Sequence, residues 1–142
     1  MNQQIRMERR RNDTLLHLYP DEAAHAAARL RALAETDKPI RAAEIRIEDL
    51  THEHRRLGEA AGLYAGKRLP SELRNQLQNV DVALKQAMAT LRNCHDERAL
   101  VGKGYDEELV VLRKLWAAPT RDLSVVERGQ NAAWKRETVS VR

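Results

Sequence analysis

The sequence is poor in the residues that fill a thick hydrophobic core. It has no Phe, and aromatic residues make up 4% of its 142 residues, although 42% of the chain is apolar. Much of the apolar fraction is Ala, which favours helices but buries little surface. Few segments alternate with period two, which disfavours β-strands. We therefore expect an all-α protein that packs through narrow helix–helix contacts, and by its length a single domain over residues 1–142.

Features that define several functional classes are also missing. A single cysteine, Cys94, excludes an internal disulfide framework. No apolar run approaches the roughly 18 residues of a membrane span, and the N-terminus has no hydrophobic signal region. We therefore expect no membrane span, and a protein that is cytoplasmic or incorporated into a particle assembled in the cytoplasm.

The residues that could carry chemistry do not form a usable pattern. Asp49 and His52 are spaced like half of a two-metal site, but the segment expected opposite them offers no further ligand. Cys94 and His95 are adjacent, so on a helix they point about 100° apart and do not form a thiolate pair. There is no glycine-rich phosphate loop and no Walker-type lysine. We expect no enzymatic activity, no cofactor and no metal site.

Two long amphipathic segments, 40–66 and 71–101, dominate the middle of the chain. Their apolar residues recur every seven positions, which predicts a long antiparallel two-helix coiled-coil hairpin with its turn at 65–70. The rows are Leu33, Ile40, Ile47 and Ala61 with His54, and Ala43, Leu50, Leu57 and Tyr64, in the first segment, and Leu77, Leu84 and Leu91, and Leu73, Val80, Ala87, Cys94 and Val101, in the second. Each arm of about 27 residues would span roughly 40 Å.

The two segments fit together in one register around the predicted turn. Leu57 then faces Val80, and Ala43 faces Cys94, so both rows of the seam close together. The same register places His54 in the seam, where we expect either a polar group that fixes the register or a side chain that reaches outward.

Both arms are weakened at the same level, at 36–39 and at 101–104. Pro39 disfavours helix at Lys38, and glycines in a helix interior cost about 1 kcal/mol each. We interpret this level as a joint between a hairpin stalk at 40–101 and a small basal bundle formed by 1–39 and 102–142. A gently kinked, continuous hairpin is the alternative. The short helices expected in the bundle are 2–18, 21–35, 105–118 and 125–136.

Positive charge is concentrated at the two ends of the chain. Residues 1–19 hold four Arg against Glu8 and Asp13, a net charge of +2. Residues 119–142 hold five basic against three acidic groups, again +2, whereas residues 20–118 balance at 16 against 16. Basic ends suit nucleic acid, an anionic membrane or an acidic protein surface, and they also serve as solubilising tails. The candidate nucleic-acid-binding residues are Arg6, Arg9, Arg10, Arg11, Lys135 and Arg136.

These patterns favour a non-enzymatic protein-interaction or assembly protein. We expect an adaptor or structural subunit of a larger multiprotein machine, with protein partners or further copies of itself as a homo-oligomer. Ile45 and Leu63 share a helix face, and Tyr and Arg are enriched at interface centres. The candidate partner-binding residues are Ile45, Leu63, Tyr64, Lys67, Arg68 and Trp134. Simpler roles for the two aromatic residues are that Tyr64 closes the seam and Trp134 fills the basal bundle.

The alternative is a small nucleic-acid-binding regulator that uses the basic termini, although no recognition-helix pattern or zinc spacing accompanies them. In general shape the predicted hairpin resembles secretion-apparatus stalk proteins, coiled-coil regulators of RNA polymerase and bacteriophage assembly proteins. Such polymerase regulators usually carry a four-cysteine zinc module or an acidic tip, whereas this tip is Lys67-Arg68. The abundance of Ala and Arg adds the hypothesis of a bacteriophage origin.

Overall fold

Three helices make up the computed structural model, which describes residues 2–118. They are α1 (Asn2–Leu18), α2 (Glu22–Gly62) and α3 (Ser71–Ala117), and the described residues contain no strand. The prediction of an all-α fold is therefore confirmed, as are the bounds predicted for α1. The predicted helix at 125–136, with Trp134, Lys135 and Arg136, lies outside the described residues.

Local signals in the sequence set the ends of α2 and α3. The Asp21 carboxylate accepts a hydrogen bond from the Ala24 amide at 2.8 Å, which makes Asp21 the N-cap of α2. α3 begins at Ser71, directly after Pro70, whose carbonyl accepts the Arg74 amide at 3.0 Å. A proline at a helix start loses no hydrogen bond, because the first amides have no helical acceptor.

The described residues form two compact units, to both of which α2 and α3 contribute. Among the described residues, 2–29 and 103–118 belong to unit 1, and Leu30–Gly102 form unit 2. In unit 2 the buried apolar side chains all occupy positions of the predicted heptad rows, so the burial pattern is compatible with the predicted coiled-coil hairpin. They are Ile40, Ala43, Leu50, Leu57, Val80 and Ala87.

Two ion pairs between α2 and α3 show how the helices run within unit 2. His54 Nε2 lies 3.1 Å from a carboxylate oxygen of Asp81, and Arg98 pairs with Asp37. Moving from 37 to 54 along α2 therefore corresponds to moving from 98 back to 81 along α3. The two helices are antiparallel, and their register is constant between these two pairs.

Of two predicted seam positions, Tyr64 is wrong, whereas His54 takes one of the two orientations expected for it. His54 is exposed, and its side chain reaches outward to Asp81, as the second of the two expectations for this residue predicts. Tyr64 is 38% exposed and lies beyond the end of α2, because α2 ends at Gly62 rather than continuing to 66. Tyr64 therefore does not close the seam but belongs to the turn.

The helix breaks predicted at 36–39 and 101–104 are also wrong. α2 continues through Pro39, and α3 continues through Gly102 and Gly104. Residues 22–35 are thus part of α2 and residues 105–117 part of α3, so the separate short helices predicted at 21–35 and 105–118 are wrong. The single domain and the joint stay predictions. Proline removes the amide donor for the carbonyl of Glu35. Glu35 and Pro39 are both exposed, so water can hydrate that carbonyl.

A side chain from α3 also braces the turn of α2 that precedes the proline. The Arg98 guanidinium donates to the Leu33 carbonyl and to the Thr36 hydroxyl, both at 3.2 Å, and it pairs with Asp37. The Thr36 hydroxyl in turn donates to the Leu33 carbonyl at 2.6 Å. This brace joins residues 33–37 to α3 and offsets part of the intrinsic preference against helix before Pro39.

Unit 1 is centred on Leu112 and His25, which are 0% and 1% exposed. The Trp116 indole donates to the carbonyl of Tyr19 at 3.1 Å, which fixes the connection between α1 and α2. An ion pair joins Glu22 to Arg113 across the surface of the unit, with 3.0 Å between the carboxylate and the guanidinium Nε. The helices of unit 1 are thus held by a small apolar centre and by polar contacts around it.

Candidate interaction site at the turn between α2 and α3

The turn that joins α2 to α3 has a backbone fixed by successive hydrogen bonds. The Tyr64 amide donates to the Ala61 carbonyl at 3.1 Å, and the Lys67 amide donates to the Tyr64 carbonyl at 2.7 Å. Gly66 has φ of 76°, a left-handed conformation that glycine adopts without steric cost. The side chains of the turn therefore project from a defined backbone.

We define the turn site as Leu63, Tyr64, Lys67 and Arg68. All four are exposed, and Leu63 is the most exposed large apolar side chain among the described residues, at 84%. Neither Lys67 nor Arg68 forms an ion pair within residues 2–118. An apolar side chain, a phenol and two cations that pair with no described carboxylate thus lie together on one turn.

Ile45, the remaining described residue of the partner-binding prediction, lies elsewhere. It is 53% exposed and lines a shallow groove of α2 with Arg41, Glu44 and Glu48 among others. The prediction that it shares a helix face with Leu63 is wrong, because α2 ends at Gly62 and Leu63 lies beyond that end. On the face of α2 that carries Ile45, about 26 Å of helix separates Ile45 from Gly62. The residues between them on that face are charged or polar. The structure therefore does not join Ile45 to the turn site.

The arginines of the nucleic-acid prediction lie on the most exposed helix. Every residue from 2 to 11 is exposed, and α1 has no buried residue along its length. Arg6, Arg9, Arg10 and Arg11 form no ion pair with any described residue. The structure brings these four arginines together on one helix, apart in sequence from the turn site.

One polar cluster was missed by sequence reasoning. His25 is almost fully buried, its Nε2 lies 3.0 Å from a carboxylate oxygen of Glu108, and its ring meets the edge of Tyr19 and the tilted ring of Tyr105. The ring centroids lie 4.9 and 5.4 Å away. The imidazole is therefore enclosed in the interior of unit 1 by side chains from α3 and from the segment that joins α1 to α2.

A sequence signal for this cluster existed in the charges around it. On α2, His25 lies between the acidic Glu22 and the basic Arg29. On α3, Glu108 lies between the acidic Asp106 and the basic Arg113, so in an antiparallel arrangement each charge meets one of opposite sign. The structure pairs them accordingly, with 3.2 Å between Arg29 and Asp106. An antiparallel search for complementary charges would have placed His25 near Glu108.

Among residues 2–118 there is no group of three or more His, Cys, Asp or Glu side chains placed to hold a metal ion. No described helix combines the length and the apolar character that crossing a membrane requires. No protein-family model, curated protein or solved structure matches this chain.

Proposed function

We propose that this protein is a non-enzymatic interaction protein that serves as an adaptor or structural subunit of a larger multiprotein assembly, and that it docks its partner through the turn site. The observation that supports this proposal is Leu63, which is 84% exposed on a turn with a fixed backbone, beside two cations that pair with no carboxylate of residues 2–118. Exposed apolar residues are common singly. Leu63 differs because it lies on an ordered turn that also carries the exposed side chains of Tyr64, Lys67 and Arg68.

The physical chemistry of the turn site defines the partner that it fits. Burying a leucine side chain contributes about 1.5 to 3 kcal/mol, and Tyr64 adds apolar surface with a hydroxyl that stays hydrogen-bonded at an interface rim. Lys67 and Arg68 would orient the encounter and raise its rate when the facing surface is negative. The turn site therefore suits a protein surface with a leucine-sized apolar pocket bordered by carboxylates.

Site-specific photo-crosslinking in the native host would identify this partner. A photoreactive phenylalanine analogue at position 63 should capture one protein reproducibly. The control places the same analogue at position 82, where Val82 is 49% exposed on α3 of the same unit. Equal capture of the same protein from both positions would show that the turn site is not the specific contact.

Binding measurements with the purified partner then test the energetic argument. Leu63→Ala should weaken binding by about 1.5 to 3 kcal/mol, which is roughly a 10- to 150-fold rise in Kd. Ile45→Ala is the matched control, since it also truncates an exposed aliphatic side chain of unit 2, and it should leave Kd unchanged. The double variant Lys67→Glu/Arg68→Glu should mainly slow association. Wild-type affinity in Leu63→Ala, with helicity retained, would refute the turn site as the docking surface.

A further inference from the structure

The first part of α1 is a positively charged helical arm that makes few contacts. Within residues 2–11, which we call the arm, Arg6, Arg9, Arg10 and Arg11 stand against Glu8 alone, a net charge of +3. All residues of the arm are exposed. The half-buried residues of α1 begin at Asn12, so the helix is anchored at its C-terminal end.

A helix in this situation gains little stability from its own chain. Isolated helices shorter than about 12 to 15 residues are marginal in water, and most helical stability in proteins comes from packing. Within the described residues every side chain of the arm is exposed and none forms an ion pair. A ligand that binds the side chains of the arm would therefore stabilise its helix. Because the arm is positively charged, such a ligand is anionic.

The distribution of apolar residues argues against a protein groove as that ligand. A helix that docks into a protein groove presents apolar anchors at i, i+3, i+4 and i+7. The large apolar residues of the arm, Ile5 and Met7, are two positions apart, so they point about 200° apart around the helix axis. Ile5 is 48% and Met7 68% exposed. The arm thus lacks a continuous apolar face, and its recognition chemistry comes from the arginines.

Those arginines surround much of the helix. Arg9, Arg10 and Arg11 are consecutive, so they cover an arc of about 200°, and Arg6 falls within that arc. A helix with cations on both flanks matches a groove with phosphates on both walls. The major groove of B-form DNA is about 12 Å wide and admits a helix of about 10 to 12 Å diameter, whereas the major groove of A-form RNA is narrow and deep.

We propose that α1 is a DNA-binding arm, which lies in the major groove of duplex DNA with its arginines on the phosphates of both walls. This surface is independent of the turn site and takes a ligand of a different chemical class. Contacts to phosphate carry little sequence information, so binding depends weakly on base sequence. Four phosphate contacts would release counterions and give a slope of log K against log salt of about −3.6.

Fluorescence anisotropy of the full chain with a labelled DNA duplex tests this proposal. The variant Arg6→Gln/Arg10→Gln should weaken binding and reduce the salt slope by about 1.8. The matched control Arg46→Gln/Arg55→Gln removes the same charge from two exposed arginines of α2 that form no ion pair with a described residue. The control should keep the wild-type slope. Gln and Arg have similar helix propensity, and circular dichroism verifies that both variants stay helical.

An RNA duplex of the same sequence and the polyanion heparin complete the experiment. Preference for the DNA duplex over both at equal salt, together with the effect of the arm variant, supports the proposal. Equal binding of RNA and DNA duplexes would overturn the placement in the major groove. Equal losses of affinity in the two double variants would mean that binding depends on the net charge of the protein and not on the arm. Wild-type binding by Arg6→Gln/Arg10→Gln, or no binding to DNA at all, would overturn the proposal that the arm binds DNA. None of these outcomes bears on the turn site.

Discussion

Replacing Pro39 with alanine should stabilise the protein, because this proline lies inside α2 and yet the helix continues through it. A proline in a helix interior costs about 3 kcal/mol relative to alanine, since it removes one hydrogen bond and crowds the preceding turn. Alanine would restore an amide donor to the carbonyl of Glu35. The substitution would also give the unfolded chain more conformational freedom, since alanine lacks the ring of proline. This lowers the free energy of unfolding by about 0.4 to 1 kcal/mol. The expected net gain is about 2 kcal/mol.

Pro70 provides the control for this substitution. It precedes α3, where a missing amide costs nothing, so Pro70→Ala should be neutral or slightly destabilising through the unfolded chain. Urea unfolding followed by circular dichroism measures both variants. A neutral or destabilising effect of Pro39→Ala would refute the conclusion that the proline is a tolerated defect in a continuous helix.

Arg98 allows the same conclusion to be tested a second way. If its bonds to Leu33, Thr36 and Asp37 brace the turn before Pro39, then Arg98→Ala should cost more with proline at position 39 than with alanine there. The ion pair is partly exposed, with 38% and 63% exposure of its two side chains, so surface screening limits its contribution. A coupling of about 0.5 to 1 kcal/mol in the double-mutant cycle is expected. If the effects of the two substitutions on stability are additive, the bonds of Arg98 do not compensate for the proline.

Four further variants test the packing. Ala43→Cys should form a disulfide with native Cys94 under oxidation, which non-reducing electrophoresis detects, and failure to cross-link in a folded protein would contradict the predicted register. Leu50→Asp should abolish cooperative thermal unfolding because it buries a charge without a partner. Glu53→Lys at an exposed position should change stability by no more than about 0.5 kcal/mol, and equal melting of the two would contradict the assigned faces. Leu112→Ala should cost about 2 to 5 kcal/mol in urea unfolding, and a loss below 1 kcal/mol would contradict its place at the centre of unit 1.

Heptad spacing was sufficient to identify the apolar faces of unit 2. Burial on a helix repeats with the helical period, so a row such as Ala43, Leu50 and Leu57 can be recognised without knowing what covers it. All three are buried in the structure. The same reasoning failed at Tyr64, since a heptad row does not report where the helix itself ends.

Features that depend on distant residues could not be found in this way. Local propensity predicted a break at Pro39, whereas the brace that holds this turn comes from Arg98, more than fifty positions later in the chain. His25 and Glu108 are 83 positions apart, and neither carries a local signal of burial. Tertiary contacts override propensity at both places, and only a search for complementary charges between the helices would have anticipated them.

The turn site and the arm both carry clustered positive charge in the sequence. The structure indicates that they differ in the interaction that would dominate binding, which is apolar burial at the turn site and electrostatic attraction at the arm. Leu63 offers apolar surface, whose burial depends little on ionic strength, so most of the affinity at the turn site should persist at high salt, and salt should mainly slow association through Lys67 and Arg68. Arg6 and Arg10 offer charge alone, so binding by the arm should fall steeply with salt. A full-length protein that holds its protein partner at high salt while releasing DNA would display both surfaces at once. Leu63→Ala should then remove the salt-resistant binding, and Arg6→Gln/Arg10→Gln the salt-sensitive one, each without affecting the other.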